Sequence, residues 1–359
     1  MKTDYLLLED GTTFEGKICG AIGSEALGEV VFNTSMCGYQ EILTDPSYAG
    51  QIVTMTYTQI GNYGVNNRDV ESSKVHCRGM IVRELSEISS NFTSTLSLEQ
   101  YFIKNNIACM TEIDTRALTR RLRDKGALKG IFVKAGESLE EKKAKLETFN
   151  YSNIDFSVEV TGLQNVSDYK KADDRPNVAV LDFGIKNNIL RILSEFCNVE
   201  VFSLEQWKGE NRISDFDGFF LSNGPGDPEA VSGAPEEILK IVETGKPVFG
   251  ICLGHQLLSL TLGAKTYKLK FGHHGANHPV KNIKTDKVEI SSQNHGYAVD
   301  ADSLPEGIKA THINLNDNSL AGLEVENKPV YSIQYHPESA PGPHDAQYLF
   351  EKFSADLGV

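Results

Sequence analysis

The sequence predicts an α/β protein in two domains, a mixed α and β N-terminal domain followed by a doubly wound parallel sheet. Three observations lead there. The 359 residues exceed what one hydrophobic core usually serves. The C-terminal half alternates short apolar runs with helical segments, the pattern of parallel strands joined by crossover helices. Between the halves, Ser167–Pro176 is polar, charged and closed by proline, which is linker chemistry.

Along the N-terminal half, short alternating strands and many glycines surround two clear helices, near Leu98–Asn105 and Thr115–Lys125. Glu137–Glu147, rich in Glu and Lys, reads as a solvated helix. After the linker, Val178-Ala-Val-Leu-Asp-Phe is a short apolar run suited to a strand buried on both faces. A helix over Asn187–Glu195 follows, then strands at 199–203 and Gly218–Ser222, a helix over Pro235–Thr244, the strand Pro247–Gly250 and a helix from Leu253. Later runs (Val288–Ser291, Ala310–Ile313, Leu320–Val325, Val330–Gln334) look like hairpin strands. The boundaries are drawn at 1–170 and 177–359.

Composition narrows the function. A net charge of −14 argues against a nucleic-acid binder, which would need a basic face, and against an anionic membrane surface. No run reaches the roughly 18 apolar residues of a membrane span. Met1–Gly11 reads as neither a secretory signal nor a transit peptide. Six scattered cysteines without a C-x-x-C pair suit a reducing, cytoplasmic setting, where most would be small core residues.

Cys252 stands apart. Gly250-Ile-Cys-Leu-Gly-His-Gln256 places it between two glycines, where a strand ends and a helix begins, the layout of a nucleophile elbow. The glycines suit a tight turn, and the helix N-terminus favours negative charge on the sulfur. A nucleophile also needs a base and a group that orients it. In Gln334-Tyr-His336-Pro337-Glu338, proline holds His336 extended, so His336 and Glu338 share a face. Alone, this would read as a surface pair at a strand end; beside the elbow it reads as base and orienter. Ser222-Asn-Gly-Pro-Gly-Asp-Pro228 sits at the carboxyl end of a strand, where α/β sites form. Alone it would be a tight turn. Here Gly224 or Gly226, with Leu253, could donate backbone N–H groups to an oxyanion. Ser292-Gln-Asn294-His-Gly296-Tyr297 offers polar amides for a small zwitterion, a weak signal by itself.

The Ser222–Pro228, Gly250–Gln256 and His336–Glu338 motifs, in that order and spacing, resemble the class I (triad) glutamine amidotransferases. Asn33-Thr-Ser-Met-Cys-Gly-Tyr-Gln-Glu41, Leu43-Thr-Asp-Pro-Ser-Tyr-Ala-Gly-Gln51, Gly61-Asn-Tyr-Gly64, Asp114-Thr-Arg-Ala-Leu-Thr-Arg120 and Asp182-Phe-Gly-Ile-Lys-Asn-Asn-Ile-Leu-Arg191 extend the likeness. Together they resemble the small subunits of carbamoyl-phosphate synthetase over essentially the whole chain. The resemblance implies a small-subunit N-terminal domain joined to a flavodoxin-like amidotransferase domain. It implies Cys252 as nucleophile, His336 as acid and base, Glu338 as orienter, and a γ-glutamyl thioester on the way to glutamate and ammonia. It carries glutamine binding to Ser47, Gly224, Gly226, Leu253, Gln256, Asn294, Gly296 and Tyr297. Ser47 lies in the other domain, so the resemblance implies a site at the domain interface.

No G-x-x-x-x-G-K-[ST] loop is present, since Gly245-Lys246 runs into Pro247. Carbamoyl-phosphate synthesis, with ATP and Mg, is therefore expected on a large-subunit partner fed with ammonia through an internal passage. This chain is expected to need no cofactor. His273, His274 and His278 tempt a metal reading, but no Asp, Glu or Cys nearby completes a tetrahedral set; the loop is expected at a site rim or subunit contact. His255 is expected in helix–sheet packing rather than as the base. Arg116, Arg120, Arg121 and Arg123 are expected to face solvent or the large subunit. Two other readings stay open: an amidotransferase serving another synthase, which would not need the first 170 residues, and a catalytically idle binding subunit, which would not need the intact Cys252, His336 and Glu338.

Overall fold

A computed structural model describes residues 3–151, 154–162, 172 and 174–359. Most of the expected linker Ser167–Pro176 lies outside the described residues. Two compact units emerge, Met1–Ile154 with Lys270–His274, and Asp155–Leu269 with Gly275–Val359. The sequence boundaries at 1–170 and 177–359 allowed for no return of the chain; here a five-residue stretch far along it belongs with the first unit.

The first unit contains strands β1 (Asp4–Leu8), β2 (Thr13–Gly20), β3 (Leu27–Asn33), β4 (Gln51–Met55), β5 (Gln59–Ile60), β6 (Gly79–Ile81), β7 (Glu84–Leu85), β8 (Ala108–Thr111) and β9 (Leu128–Val133). Its helices are α1 (Tyr39–Thr44), α2 (Leu98–Lys104), α3 (Thr115–Lys125) and α4 (Leu139–Thr148). Seven strands close a barrel in the order β1-β2-β8-β6-β4-β3-β9, while β5 and β7 pair separately. Leu6, Val30, Ile52, Met110 and Phe132 fill one side of this sheet together with Leu118 and Leu122 of α3. Tyr39, Leu43, Met80 and Phe102 fill another cluster under α1 and α2. Sequence-local chemistry fixes the helix ends: Ser97 and Gln100 form a reciprocal capping box on α2, and Asp114 caps α3 by accepting from Ala117 N.

The second unit begins with the single turn α5 (Ser157–Val160) and then alternates: β10 (Asn177–Asp182), α6 (Asn187–Phe196), β11 (Asn198–Ser203), α7 (Leu204–Lys208), β12 (Gly218–Leu221), α8 (Ala234–Glu243), β13 (Val248–Ile251) and α9 (Leu253–Thr261). It continues with β14 (Thr266–Asn282), β15 (Val288–Val299), β16 (Ile308–Asn314), β17 (Leu320–Val325), β18 (Val330–Ile333) and α10 (Tyr348–Asp356). The sheet order is β11-β10-β12-β13-β18-β17-β16-β14-β15. Its first five strands are parallel, in the flavodoxin-like 2-1-3-4-5 arrangement. The β18-β17-β16-β14 pairings are antiparallel. Val180, Phe220, Phe249 and Ile333 pack under α6 and α10; Leu181, Phe219, Leu221 and Val248 pack under α7, α8 and α9. Strands buried on both faces lose the polar alternation of a half-exposed strand, as the run at 178–182 suggested.

Candidate active site

Strands β13 and β18 are parallel neighbours in register, with Ile251 opposite Ile333. The two chains leave the sheet side by side, and Cys252 N donates to Ile333 O at 2.9 Å. Cys252 and His336 are therefore delivered to the same edge by strands about 80 residues apart. His336 N donates to Ser292 O at 2.9 Å, which ties the His336 segment to β15.

The elbow bears its strain on Cys252 itself. Cys252 has φ 52 and ψ −102, a conformation a non-glycine residue rarely adopts. Gly250 and Gly254 are absent from the positive-φ residues, so the sequence argument named the right residues for a different reason. A Cβ on Gly254 would stand 2.2 Å from Leu221 O, and one on Gly250 would stand 2.9 Å from Gly254 O. These glycines let α9 lie against β12 and β13.

His336 Nδ1 and Glu338 Oε1 are 2.7 Å apart, both side chains essentially removed from solvent. Lys186 Nζ donates to the same Oε1 at 2.9 Å and to Ser339 O at 2.6 Å, and Asn188 Nδ2 donates to Glu338 O at 2.5 Å. Burial alone would raise the Glu338 pKa, but the Lys186 and His336 charges overcome it and hold the carboxylate well below its usual range. Burial likewise works against a charged His336; the Glu338 carboxylate outweighs it, helped by Cys252, and pushes the imidazole well up. His336 Nε2 is buried, and the Cys252 thiol lies beside the imidazole. That thiol is turned toward Asn294 O at 3.5 Å, and Gln334 Nε2 reaches its sulfur at 3.7 Å. Gln256 Nε2 in turn donates to Gln334 Oε1 at 3.1 Å and Tyr297 O at 2.8 Å.

The Ser222–Pro228 loop is locked to the turn after β10. Phe183 N donates to Ser222 Oγ, Lys186 N to Asn223 Oδ1, and Asn223 Nδ2 to Gly184 O. Gly224 allows that approach, since a Cβ there would lie 2.2 Å from Phe183 O; Gly226 takes φ 88. The structure thus brings Cys252, His336 and Glu338 together in one unit, with Asn294 and Gln334 against the sulfur, Leu253 next in the chain and Gln256 bonded to Gln334. Ser47 belongs to the first unit, buried in the turn Pro46–Tyr48, where its N–H donates to Asp45 Oδ1.

His255 is buried, with Nδ1 2.8 Å from Ser332 Oγ, and burial depresses its pKa to about 3; it packs between α9 and β18, as expected. His273 and His274 are buried within the first unit. They sit in β14, a 17-residue strand where the sequence suggested a loop. The alternation Tyr267, Leu269, Phe271 carried that signal, and the glycines and histidines after it hid it. Among the described residues no group of three metal-ligating side chains could hold an ion. Sequence reasoning gave Lys186 and Gln334 no role. Both lie inside the motifs Asp182–Arg191 and Gln334–Glu338, and Lys186, beside Asn187 and Asn188, carries no local sign of its burial.

A strained cysteine at the end of a parallel strand, facing a carboxylate-paired imidazole, defines the class: residues 179–355 match the model of the class I glutamine amidotransferases. Residues 6–132 match that of the carbamoyl-phosphate synthase small chain, CPSase domain. The chain belongs to the carbamoyl-phosphate synthase small-chain family. Proteins named carbamoyl phosphate synthase small chain are similar over nearly their whole length. That of Aquifex aeolicus is 48% identical, covering 98% of each chain. That of Clostridium perfringens is 50% identical over 97% of each. That of Escherichia coli K12 is 48% identical over 98% of this chain and 97% of its own.

Proposed function

We propose that this chain is the glutaminase subunit of a glutamine-dependent carbamoyl-phosphate synthetase, with Cys252, His336 and Glu338 as its catalytic residues. The Cys252 sulfur attacks the carboxamide carbon of L-glutamine. The tetrahedral oxyanion is met by the N–H of Leu253 and of Gly224 or Gly226. His336 takes the Cys252 thiol proton as the sulfur attacks, is held as imidazolium by Glu338, and passes that proton to the departing nitrogen, so ammonia leaves and a γ-glutamyl thioester remains. Neutral His336 then takes a proton from water, whose oxygen attacks the thioester carbon; the C–S bond breaks and glutamate is released. Lys186 keeps Glu338 ionised and oriented. Ser47, Gly224, Gly226, Leu253, Gln256, Asn294, Gly296 and Tyr297 are the proposed glutamine contacts, of which Ser47 rests on the family resemblance alone.

Ammonia passes to a large subunit that carries ATP and Mg and makes carbamoyl phosphate for arginine and pyrimidine synthesis in the cytoplasm. The chain itself uses no cofactor. No described helix is long and apolar enough to cross a membrane.

The observation that carries the reading is the 2.7 Å His336–Glu338 contact beside the Cys252 sulfur. The test is incubation with a glutamine-derived diazoketone followed by peptide mass spectrometry. One adduct on Cys252 is expected, with Cys252→Ser losing glutamine-dependent but not ammonia-dependent synthesis in the complex. Labelling elsewhere, or equal loss with both nitrogen sources, would remove the enzymatic role from Cys252.

A further inference from the structure

Two cysteines of the barrel face each other across a strand pair. Strands β2 and β8 are antiparallel, and their register sets Cys19 directly opposite Cys109. Both side chains belong to the cluster that holds Tyr39, Met80 and Phe102. The Cys109 thiol donates a hydrogen bond to the Cys19 sulfur. The two differ in access. Cys109 is completely buried. Cys19 forms part of the wall of an open hollow of about 480 Å³, beside Lys17, Arg83, Glu99, Thr111 and Glu112. Both are free thiols, and the glutamine chemistry uses neither.

The pair also differs from the other core thiols. Burial pushes Cys77 and Cys197 up to about 12, the condition of an inert core residue. At Cys19 the hydrogen bond from Cys109 is the largest effect and lowers the pKa; Lys17 assists it, while burial, Glu99 and Glu112 oppose it. Cys109 is pushed the other way, by burial and by Cys19 itself. One sulfur able to attack therefore stands at the hollow, with a protonated one behind it. The spacing suits a covalent bond. Directly opposed residues of an antiparallel pair have Cα atoms about 4.5–5.5 Å apart, inside the range of about 4.4–6.8 Å that a disulfide spans. Joining these two sulfurs leaves the strand pairing as it is.

We propose that Cys19 and Cys109 form an oxidisable dithiol, a modification site for hydrogen peroxide, in which Cys19 attacks the peroxide and Cys109 resolves the product to a disulfide between β2 and β8. In the first step the Cys19 thiolate attacks one peroxide oxygen. The S–O bond forms, the O–O bond breaks, and the second oxygen leaves as water with the proton that the Cys19 thiol gave up. In the second step the Cys109 sulfur attacks the Cys19 sulfur. The S–S bond forms, the S–O bond breaks, and the hydroxyl leaves as water with the Cys109 proton. The two thiols lose two electrons between them, and the peroxide is reduced to two waters. In a reducing compartment such a bond is transient, which is the behaviour of a redox-responsive pair and not of a permanent staple.

The experiment treats the full chain with hydrogen peroxide, alkylates the remaining thiols in urea and maps the peptides by mass spectrometry without reduction. A peptide pair joined through Cys19 and Cys109 is expected, and dithiothreitol is expected to return both thiols. Cys109→Ala is expected to stop at a Cys19 sulfenic acid, which dimedone captures. Cys19→Ala is expected to leave Cys109 reduced, because no other sulfur carries the oxidation inward. Circular dichroism establishes that the variants fold, and the wild-type peptide map decides the matter even where they do not. Cys37, which is exposed, reports that the peroxide dose was sufficient. Recovery of Cys19 and Cys109 as alkylated thiols at a dose that oxidises Cys37 would overturn the proposal. So would a Cys77–Cys109 bond in place of the expected one, or oxidation of Cys109 in a folded Cys19→Ala chain.

Discussion

Gly254→Ala tests the elbow most directly. The new Cβ would lie 2.2 Å from Leu221 O, 2.6 Å from Leu221 C and 2.8 Å from Leu221 Cβ, and two of those atoms are backbone of a central strand. Restoring ordinary contact requires α9 to retreat from β12 by about 1.2 Å. The retreat stretches the Gly254 N to Ser222 O bond, now 2.9 Å, and carries Cys252 with it. Overpacking of this kind costs about 1–3 kcal/mol, or about 2–12 °C in Tm for a unit of this size. A displacement near 1 Å at the reacting atom costs about a hundredfold in rate. The assay is steady-state glutamine hydrolysis beside thermal unfolding. Gly209→Ala serves as control, because its Cβ would meet only Gln206 O at 3.6 Å; it is expected to change stability by less than about 0.5 kcal/mol. If Gly254→Ala hydrolyses glutamine within about twofold of wild type at unchanged Tm, the close approach of α9 to β12 does not position the nucleophile, and the account of the elbow is wrong.

Three further outcomes follow from the buried charges. Lys186→Met leaves Glu338 in the interior with only His336; breaking one side of a buried ion pair typically costs about 3–5 kcal/mol, and the expected loss lies toward the lower end because His336 remains. Urea unfolding and kcat are expected to fall together, and a variant as stable and as fast as wild type would dismiss Lys186 as a support. Stability is expected to drop as pH falls below 6.5, because His255, buried neutral with its pKa at about 3, must otherwise take up a proton that the unfolded chain binds readily. His255→Asn would flatten that limb by up to about 1.4 kcal/mol per pH unit, measured by urea titrations across the range; an identical slope would refute it. Glu338 behaves with its own sign: its depressed pKa contributes stability present above the ordinary carboxylate pKa of 4.5 and lost as pH falls further, so wild type and Glu338→Gln should converge in strong acid. A stability gap that persists undiminished there would contradict the pairing.

The parts of this protein that were legible in its sequence are those whose cause is local. Helix α3 was expected near Thr115–Lys125, and the structure shows its causes to be local, an Asp114 cap and Leu118 and Leu122 recurring on one buried face. Strand β10 was visible because parallel strands buried on both faces read as unbroken apolar runs. The proposed triad was legible because a cysteine between glycines and a His-Pro-Glu segment each constrain only a few residues. The barrel was not legible. It brings β3 beside β9, which lie about 100 residues apart, and no local pattern encodes which strand closes on which. Lys186 was missed for a related reason. Its partner is 152 residues away, and a lysine beside two asparagines reads as solvent-exposed until the fold removes the solvent.

The glycine frame shows how a correct identification can rest on an incomplete cause. From sequence, a small residue on each side of a nucleophile suggests backbone freedom. In the structure the unusual backbone angle falls on Cys252, which has a side chain and pays the strain, while the glycines serve by taking up no room. The two causes have different consequences. If freedom were required at residue 254, Ala would be unfavourable for its backbone and Asn partly tolerated. Because space is required, tolerance follows volume alone, and no residue larger than glycine fits against Leu221 without moving α9. The strain at Cys252 is then understandable as the result of two close packings, α9 on β12 and the chain exit of β13 beside β18, which together leave the intervening residue a single path. Position and strain of the sulfur therefore have one origin, and relaxing either packing should release both.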